Sequence, residues 1–234
     1  MNELEFVNEL NKKGIKLNSI QQEQFNIYYQ TLIDYNQKVN LTTITEKEEV
    51  YLKHFYDSLS ILFYSEIKEG STLCDVGSGA GFPSIPIKIV RPDLKITIID
   101  ALGKRIKFLN YLVSLLKLND VSAIHTRAEE YAKDNRESFD YVTARAVARL
   151  NILSELCIPL VKIGGKFIAM KGSSDEELQE SVKGIKILGA EINDNVKFNL
   201  LNEGGKRNIL IFKKITKTPN KYPRNYSKIK NKPL

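Results

Sequence analysis

The sequence predicts an α/β protein with a mostly parallel sheet, a C-terminal antiparallel hairpin and an N-terminal helical extension. Three patterns in the 234 residues lead to this prediction. Apolar residues recur at helical spacing over the first 65 positions, strand and helix patterns alternate from residue 71, and two strand-like segments near the end flank a Gly-Gly turn. We therefore expect a helical extension over 1–68, an α/β domain over 69–215 and a basic tail over 216–234.

The N-terminal extension is expected to contain three helices. A short apolar stripe over 4–10 indicates the first of them. Ser19 with Gln22, and Thr45 with Glu48, have the spacing of capping boxes, and each pair precedes apolar residues at helical spacing. These two pairs predict where the second and third helices begin.

The domain that follows alternates between strand and helix patterns. Strand patterns cover 72–76, 95–99, 121–125, 139–144 and 166–170, and helix patterns cover 83–90, 103–118, 147–160 and 174–187. Because the two alternate, the strands are expected to lie parallel, with helices on both faces of the sheet. Near the end, Ala190–Leu200 and Asn208–Lys213 flank the turn Glu203–Lys206, which is a hairpin signal. A parallel sheet that ends in a hairpin indicates a methyltransferase-type sheet rather than a symmetric dinucleotide fold.

A glycine-rich turn follows the first predicted strand. Asp75 ends that strand, and Gly77, Gly79 and Gly81 follow at alternate positions. Glycine tolerates positive φ and has no Cβ, so a ligand can lie against the backbone of such a turn. The N–H groups at the start of the next helix add partial positive charge. Asp100 ends the second strand, and an acid in this position is typical of a nucleoside-binding βαβ unit.

The spacing of the glycines discriminates between nucleoside ligands. A dinucleotide fingerprint, G-x-G-x-x-G/A, needs Gly or Ala at its third position. That position holds Phe82 if the count starts at Gly77 and Ser84 if it starts at Gly79, so neither frame fits. No Gly-Lys-Ser/Thr of a phosphate-binding P-loop is present. A G-x-G-x-G turn with an acid two residues before it resembles the first motif of class I AdoMet-dependent methyltransferases. The sequence thus predicts their Rossmann-like fold, with S-adenosyl-L-methionine as the cofactor.

Other polar residues are expected at the same edge of the sheet. The Asp100 carboxylate suits the two vicinal ribose hydroxyls, which are paired donors. Ala128 and Glu129 follow the third strand, where backbone and side chain could hold the adenine. Arg145 ends the fourth strand, and a buried cation there needs an anion, either the cofactor carboxylate or an RNA phosphate.

The positive charge is concentrated in the tail. The net charge is +7, and from Lys213 to Leu234 there are eight basic residues and no acid, interleaved with Tyr222 and Tyr226. The remainder carries 27 basic against 28 acidic side chains. This arrangement suits a polyanion with bases that can stack, such as RNA, although a solvated tail has the same composition. If the tail binds RNA, its deletion should weaken RNA binding and leave AdoMet affinity unchanged.

Composition limits the other classes of function. Cys74 and Cys157 lie in apolar contexts and are expected to be reduced core residues, so neither a disulfide nor a metal site is predicted. No apolar run approaches the roughly 18 residues of a membrane span. The acidic N-terminus is unlike a signal peptide. We therefore expect a cytoplasmic protein without a membrane partner.

A linked set of motifs resembles one family, the GidB-type bacterial 16S rRNA guanine-N7 methyltransferases (RsmG). The set comprises Tyr35 to Thr42, including Asn36 and Asn40, His54 to Leu59, Asp75 to Pro86, Arg91-Pro92-Asp93, Asp100 to Leu109, Arg145 to Leu150, Met170-Lys171-Gly172, Gly205-Lys206-Arg207 and Tyr222-Pro223-Arg224. The sequence departs from the family pattern in the tail, where Ser227 and Ile229 occupy positions that usually hold Gly and Pro. At Ser84 the family often has glycine.

The resemblance implies methyl transfer from AdoMet to N7 of the guanine at position 527 of 16S rRNA. Guanine N7 has a lone pair and no proton, so no general base is expected. The implied cofactor contacts are Gly77, Phe82, Ala128, Glu129 and Arg145, beside Asp75, Gly79 and Asp100 from the motif itself. The candidates to position the substrate are Asn40, Arg145 and Lys171, and those for RNA phosphates are Lys104, Arg105, Arg149, Arg207 and Arg224.

Two alternatives share the predicted fold. One is a small-molecule methyltransferase, which would not need the basic tail. The other is a catalytically inactive RNA-binding module, against which the intact glycine turn and Asp100 argue. The expected partner is 16S rRNA or the small ribosomal subunit, and the expected state is a monomer.

Overall fold

A computed structural model describes residues 1–172 and 175–234, and the strands of this part of the chain form one sheet. They are β1 (Thr72–Val76), β2 (Lys95–Asp100), β3 (Val121–His125), β4 (Phe139–Arg145), β5 (Val161–Lys171), β6 (Ala190–Leu200) and β7 (Gly205–Lys214). Their order is β3-β2-β1-β4-β5-β7-β6. The pairs among β1 to β5 are parallel, and β7 lies antiparallel to both β5 and β6. The predicted parallel sheet with a C-terminal hairpin is confirmed.

The helices pack on both faces of this sheet. They are α1 (Glu3–Lys12), α2 (Ser19–Asn36), α3 (Lys47–Val50), a π-helix (Tyr51–Tyr56), α4 (Asp57–Tyr64), α5 (Ser84–Val90), α6 (Gly103–Leu115), α7 (Ala128–Asp134), α8 (Leu150–Cys157), a 3₁₀ turn (Ile158–Leu160), α9 (Asp175–Ile187) and α10 (Tyr226–Asn231). Side chains alternate along each strand, so Leu73 joins the core with the N-terminal helices and Cys74 joins the core under α8 and α9. Cys157 is buried in this second core.

The N-terminal helices begin at different residues from those predicted. The N-cap of α2 is Asn18, and its side chain forms a capping box with Gln21, one position before the predicted pair of Ser19 and Gln22. Asparagine is at least as good an N-cap as serine, which accounts for the shift. The predicted box of Thr45 and Glu48 is wrong, because α3 begins after Glu46 without a side-chain cap.

Several boundaries in the domain also differ. The predicted helix 147–160 starts only at Leu150, because the chain first turns through Ala146 at a φ of 55°. Helix α7 was not predicted, since its seven residues lack a clear apolar stripe. Strand β5 begins at Val161 instead of residue 166. The predicted helix 174–187 corresponds to α9, and its first predicted residue, Ser174, lies outside the described residues.

The basic tail folds back onto the domain. Tyr222 and Ile229 are buried in the second core, and α10 contacts α8. The Arg224 guanidinium lies 2.6 Å from the carboxylate of Glu155, which is fully buried. Arg136 donates to the carbonyl oxygens of Tyr222 and, at 2.7 Å, of Thr218. The tail is therefore held along much of its length by the protein itself.

In the described part of the chain, no helix combines the length and apolarity needed to cross a membrane.

Candidate functional site

The carboxyl edge of the parallel strands brings the predicted cofactor residues together. Asp75, Asp100 and Arg145 lie at the ends of β1, β2 and β4, and Ala128 and Glu129 begin the helix that follows β3. The strand order reverses between β1 and β4. In open α/β sheets, ligands bind in the crevice at this switch point.

The glycines of the turn after β1 face different surroundings. Gly77 has a φ of 73°, and a Cβ there would lie 2.8 Å from Cγ2 of Val147. Gly79 has a φ of 63°, but an added Cβ would meet no described atom within 4 Å. Both positions require the left-handed conformation that glycine adopts readily. Of these two glycines, only Gly79 has a backbone that borders open space where a ligand could lie.

Asp100 is tied into the same turn. Its Oδ2 accepts from the Gly79 N–H at 3.2 Å and pairs with Arg105 at 3.3 Å, and its Oδ1 accepts from the Leu102 N–H at 2.9 Å. A carboxylate has about four acceptor positions. Three are used, so one remains for a ligand hydroxyl, and a second becomes available if Arg105 moves.

Glu129 is a largely buried residue whose carboxylate has no protein partner in the described part of the chain. The residue is 6% exposed, and its side chain forms no hydrogen bond or ion pair with any residue that the structure describes. Its position at the start of α7 therefore leaves an acceptor available at the edge of the crevice, beside the half-buried Ala128.

Asp75 lies beneath the turn, fully buried. It accepts a hydrogen bond from the Ser84 N–H at 3.2 Å. Burial raises the pKa of Asp75 to about 7, while hydrogen bonding to Ser84 and the charge of Arg145 act in the opposite direction. A cationic group in the crevice would favour the ionised carboxylate.

Phe82 lies between two other rings. The Tyr28 ring stacks on it at 5.4 Å, the His54 ring stacks at 4.4 Å, and the Arg145 guanidinium carbon lies 5.0 Å from its centroid. The Tyr28 hydroxyl also donates to the Ala80 carbonyl at 2.6 Å. The N-terminal extension thus supports the glycine turn directly, a contact that the sequence did not predict.

Arg145 and Arg207 are joined by a carboxylate that sequence reasoning missed. Asp57 accepts from Arg207 Nε at 2.9 Å and from Arg145 Nη1 at 3.3 Å, and it is 4% exposed. Burial lowers the pKa of the Arg145 guanidinium, and the negative charge of Asp57 opposes this. The segment from His54 to Leu59 already carried the family resemblance, but nothing in its spacing assigned a role to Asp57.

The contacts of His54 determine its tautomer. Its Nδ1 lies 3.3 Å from Arg145 Nη2, and its Nε2 lies 2.8 Å from the Thr42 hydroxyl. A guanidinium only donates, so Nδ1 accepts and the proton resides on Nε2. Burial lowers the pKa of His54 to about 3, and the charge of Arg145 acts in the same direction. His54 is therefore neutral, and it connects the π-helix to the loop that contains Thr42.

A cavity of about 360 Å³ lies beside these residues. Arg145, Lys171, His54, Asp57 and Arg207 are among the residues that line it. The Lys171 ammonium lies 2.7 Å from Glu177 and donates to the Ala148 carbonyl at 2.8 Å. The structure thus brings two of the predicted substrate-positioning residues to one cavity.

Asn40, the third of these candidates, does not line this cavity within the described residues. It is exposed in the loop after α2. The side chain of Asn36 holds that loop, because it accepts from the N–H groups of Leu41 and Thr42 at 2.8 and 3.0 Å. The motif residue with a clear structural role here is therefore Asn36.

The predicted phosphate contacts differ in their surroundings. Lys104 is exposed and has no ion pair among the residues described. Arg149 pairs with Glu180 at 2.7 Å at the surface. Arg105, Arg207 and Arg224 pair with Asp100, Asp57 and Glu155. Contact with RNA stays a prediction for all five, and Arg224 has a structural role in addition.

Comparison with known proteins finds one family by two routes, a family model and similar whole sequences. A family model described as rRNA small subunit methyltransferase G (GidB) matches residues 21–209. The Staphylococcus saprophyticus protein called ribosomal RNA small subunit methyltransferase G is 55% identical over 218 residues, which are 92% of this chain and 91% of that protein. The Bacillus licheniformis protein of the same name is 56% identical over 227 residues, which are 96% and 95% of the two chains.

Solved structures share the fold at low identity. The TYW2 protein of M. jannaschii, in complex with AdoMet, has a TM-score of 0.54 and 16% identity, covering 69% of this chain and 76% of that one. The antibiotic-resistance methyltransferase Kmr has a TM-score of 0.51 and 17% identity, covering 63% and 88%. At this identity the likeness concerns the fold alone.

Proposed function

Since this chain belongs to the rRNA small subunit methyltransferase G family, we propose that it transfers a methyl group from AdoMet to N7 of a guanine in 16S rRNA. The observation that carries the proposal is the family match over residues 21–209, which includes the glycine turn and the arginines of the adjacent cavity. We assign the guanine to position 527 on the family resemblance. The proposal includes a cytoplasmic monomer that acts on small-subunit rRNA.

The crevice at the carboxyl edge fits AdoMet. Gly79 leaves its backbone open to a ligand, Asp100 retains an acceptor position for a ribose hydroxyl, and the carboxylate of Glu129 has no partner among the described residues. We assign Gly77, Phe82, Ala128 and Arg145 to the same site on the family resemblance, and Asp75 because it lies directly before the glycine turn. AdoMet supplies an electrophilic methyl group on a sulfonium.

The residues present suit a reaction that needs no general base. Guanine N7 carries a lone pair and no proton, so positioning and exclusion of water are sufficient contributions from the protein. Neutral His54 donates to Thr42 through Nε2 and accepts from Arg145 through Nδ1, so both ring nitrogens are occupied. Its role is to hold Arg145 rather than to move a proton.

We place the guanine in the cavity that Arg145 and Lys171 line. Asp57 and Glu177 hold these cations, so their donors are fixed before the substrate enters. Arg207 lies at the same cavity and suits a phosphate next to the guanine. Asn40 does not line this cavity, and we keep it as a candidate RNA contact because its side chain is exposed.

The test is to map N7-methylguanine in small-subunit rRNA from cells with and without this protein, and then after incubation of unmethylated 30S particles and naked 16S rRNA with the purified protein and AdoMet. We expect a modification at one guanine that depends on the protein. Methylation of a small molecule without rRNA methylation would favour the small-molecule alternative. AdoMet binding, measured by calorimetry, is expected for either methyltransferase and not for an inactive RNA-binding module.

Asp100→Ala tests the cofactor site independently of the substrate. We expect AdoMet affinity to fall by about 1.5–3 kcal/mol, the scale of lost hydrogen bonds to a charged group. Unchanged affinity by calorimetry would remove Asp100 from the site.

A further inference from the structure

A second cavity lies outside the site described above, between α2 and α6. Its volume is about 360 Å³, and Thr31, Asp34, Tyr35, Lys38 and Tyr111 line it. This volume falls in the range of small-ligand sites. The cavity is therefore large enough to admit a planar heterocycle beside the two tyrosine rings.

The two tyrosines form an aromatic platform. Their ring centroids lie 6.3 Å apart with an interplanar angle of 29°, and the Tyr35 ring packs on Phe108 at 5.1 Å. Phe108 is fully buried, whereas Tyr111 is 53% exposed. The platform is thus anchored in the core and leaves about half of Tyr111 exposed to solvent.

The charge around this platform is mostly positive. Lys107 precedes Tyr111 by one helical turn, and Lys104 by two, while Lys38 lies across the cavity on the chain after α2. All three lysines are exposed, and none forms an ion pair in the part of the chain that the structure describes. Asp34 is the one acid among the lining residues.

Two segments connect this cavity to the proposed RNA-binding residues. Lys38 precedes the loop of Asn40, which Asn36 and His54 tie to the Arg145 cavity. Lys104 lies at the start of α6, beside the Arg105 that pairs with Asp100. The platform therefore extends the same surface away from the reacting guanine.

From this geometry we propose that Tyr111 and Tyr35 stack an unpaired base of the substrate RNA, while Lys38, Lys104 and Lys107 hold the adjoining phosphates. The inference rests on the proposed function. Aromatic rings interleaved with unpaired lysines are the physical basis of single-strand binding. The Asp34 carboxylate would repel a phosphate but can accept from an N–H on the edge of a base, so the base, not the backbone, occupies the cavity.

The test compares Tyr111→Leu, which removes the π-face and keeps an apolar side chain, with Tyr111→Phe, which keeps the ring. For Tyr111→Leu we expect the KM for 16S rRNA to rise about 5- to 150-fold, the range of one lost stacking contact. The kcat and AdoMet affinity should stay within about twofold, and Tyr111→Phe should resemble the wild type. Ile163→Ala, at a 52% exposed apolar side chain of β5, is the control for losing surface area.

The double variant Lys38→Gln, Lys107→Gln tests the phosphate contacts without changing the platform. We expect the logarithmic salt dependence of RNA binding to flatten by roughly 0.7 per lysine. If Tyr111→Leu binds rRNA like the wild type and melts at the same temperature, the stacking inference is overturned. If Tyr111→Leu melts at a lower temperature than the wild type, its weaker RNA binding could come from lost stability, and the double variant is then the deciding test. An unchanged salt dependence of RNA binding in the double variant would overturn the inference. Absence of rRNA methylation by the wild type would instead overturn the proposed function.

Discussion

At the scale of single residues, the feature that organises the site is the carboxylate of Asp57. It lies between two arginines that face the cavity, and it comes from the helix that follows the π-helix. Segments of π-helix are frequent at functional sites. The arginines would repel each other without Asp57, so this residue positions both.

Asp57→Asn should therefore destabilise the protein. It leaves Arg145 and Arg207, with side chains 14% and 21% exposed, without their counter-charge. We expect a loss of about 2–4 kcal/mol in the free energy of unfolding, somewhat below the range for a fully buried pair. Urea denaturation measures this. The matched control is Glu180→Gln, because its ion pair with Arg149 is exposed and should contribute less than about 1 kcal/mol. Equal effects of the two variants would contradict the prediction.

His54 should make the stability of the protein depend on pH. Its pKa is lowered to about 3 in the folded protein, against about 6.5 in the unfolded chain. Between these values the unfolded chain binds a proton at His54 that the native protein does not. The contribution of neutral His54 is thus complete above about pH 6.5 and is lost as the pH falls.

The variant His54→Gln removes this linkage. The difference in unfolding free energy between wild type and variant should decrease by about 2 kcal/mol between pH 7.5 and pH 5, measured by denaturation at both values. His125→Gln, at an exposed position, controls for loss of a surface histidine. A difference that stays constant over this range would show that His54 takes up a proton in the native state.

At the scale of elements, the turn between β1 and α5 combines two kinds of glycine. Gly77 is enclosed by Val147 from the loop before α8, whereas Gly79 borders open space. Spacing alone treats them as equivalent members of one motif. Their surroundings distinguish a glycine that packs against a side chain, Gly77, from one whose backbone is open, Gly79.

Alanine substitutions should separate these roles. Gly79→Ala introduces a Cβ into the proposed AdoMet site, so AdoMet affinity should fall at least about tenfold, with a loss of about 1–2 kcal/mol in stability from the positive φ. Gly77→Ala should lose about 1–3 kcal/mol more, because its Cβ overlaps Val147. Gly14→Ala is the control, since it has a φ of 80° and open surroundings far from the motif in the sequence. Calorimetry and urea denaturation give the two quantities, and identical profiles for Gly77→Ala and Gly79→Ala would contradict the assignment.

At the scale of the whole molecule, the basic tail has a structural role, and its contact with RNA stays a prediction to be tested separately. Deleting residues 219–234 would remove Tyr222 and Ile229 from the core and leave the buried Glu155 without Arg224. A deletion is therefore expected to lower stability as well as RNA affinity. Substitution of exposed lysines in α10 tests the charge alone.

The variant Lys228→Gln, Lys230→Gln keeps the packed side of α10. If the tail contacts RNA, the logarithmic salt dependence of binding should flatten by about 1.4, while the melting temperature and AdoMet affinity stay unchanged. Lys95→Gln, Lys117→Gln is the matched control, because both lysines are exposed and lie near the opposite edge of the parallel sheet. Equal salt slopes for both double variants would mean that the tail only supports the fold.

Local patterns in the sequence were sufficient for the type and order of most elements. Strands β1 and β3 match their predicted bounds, and the parallel sheet and the closing hairpin are confirmed. The glycine turn and Asp100 also meet as predicted, through the bond from the Gly79 N–H. These features follow from periodicity and spacing over a few residues, which the chain encodes directly.

Only the tertiary structure decided which charges meet. Asp57 pairs with residues 88 and 150 positions away, and Arg224 with one 69 positions away. No local pattern distinguishes these arginines from those expected to contact RNA, because the partner of a charge depends on how the sheet and helices pack. By itself, the sequence determined the fold, the cofactor motif and the family resemblance. Packing determined that Asp57 positions the side chains of Arg145 and Arg207, that Tyr111 lies on a core-anchored platform and that the basic tail packs on the domain. Each of these contacts requires segments that are distant in the chain to come together.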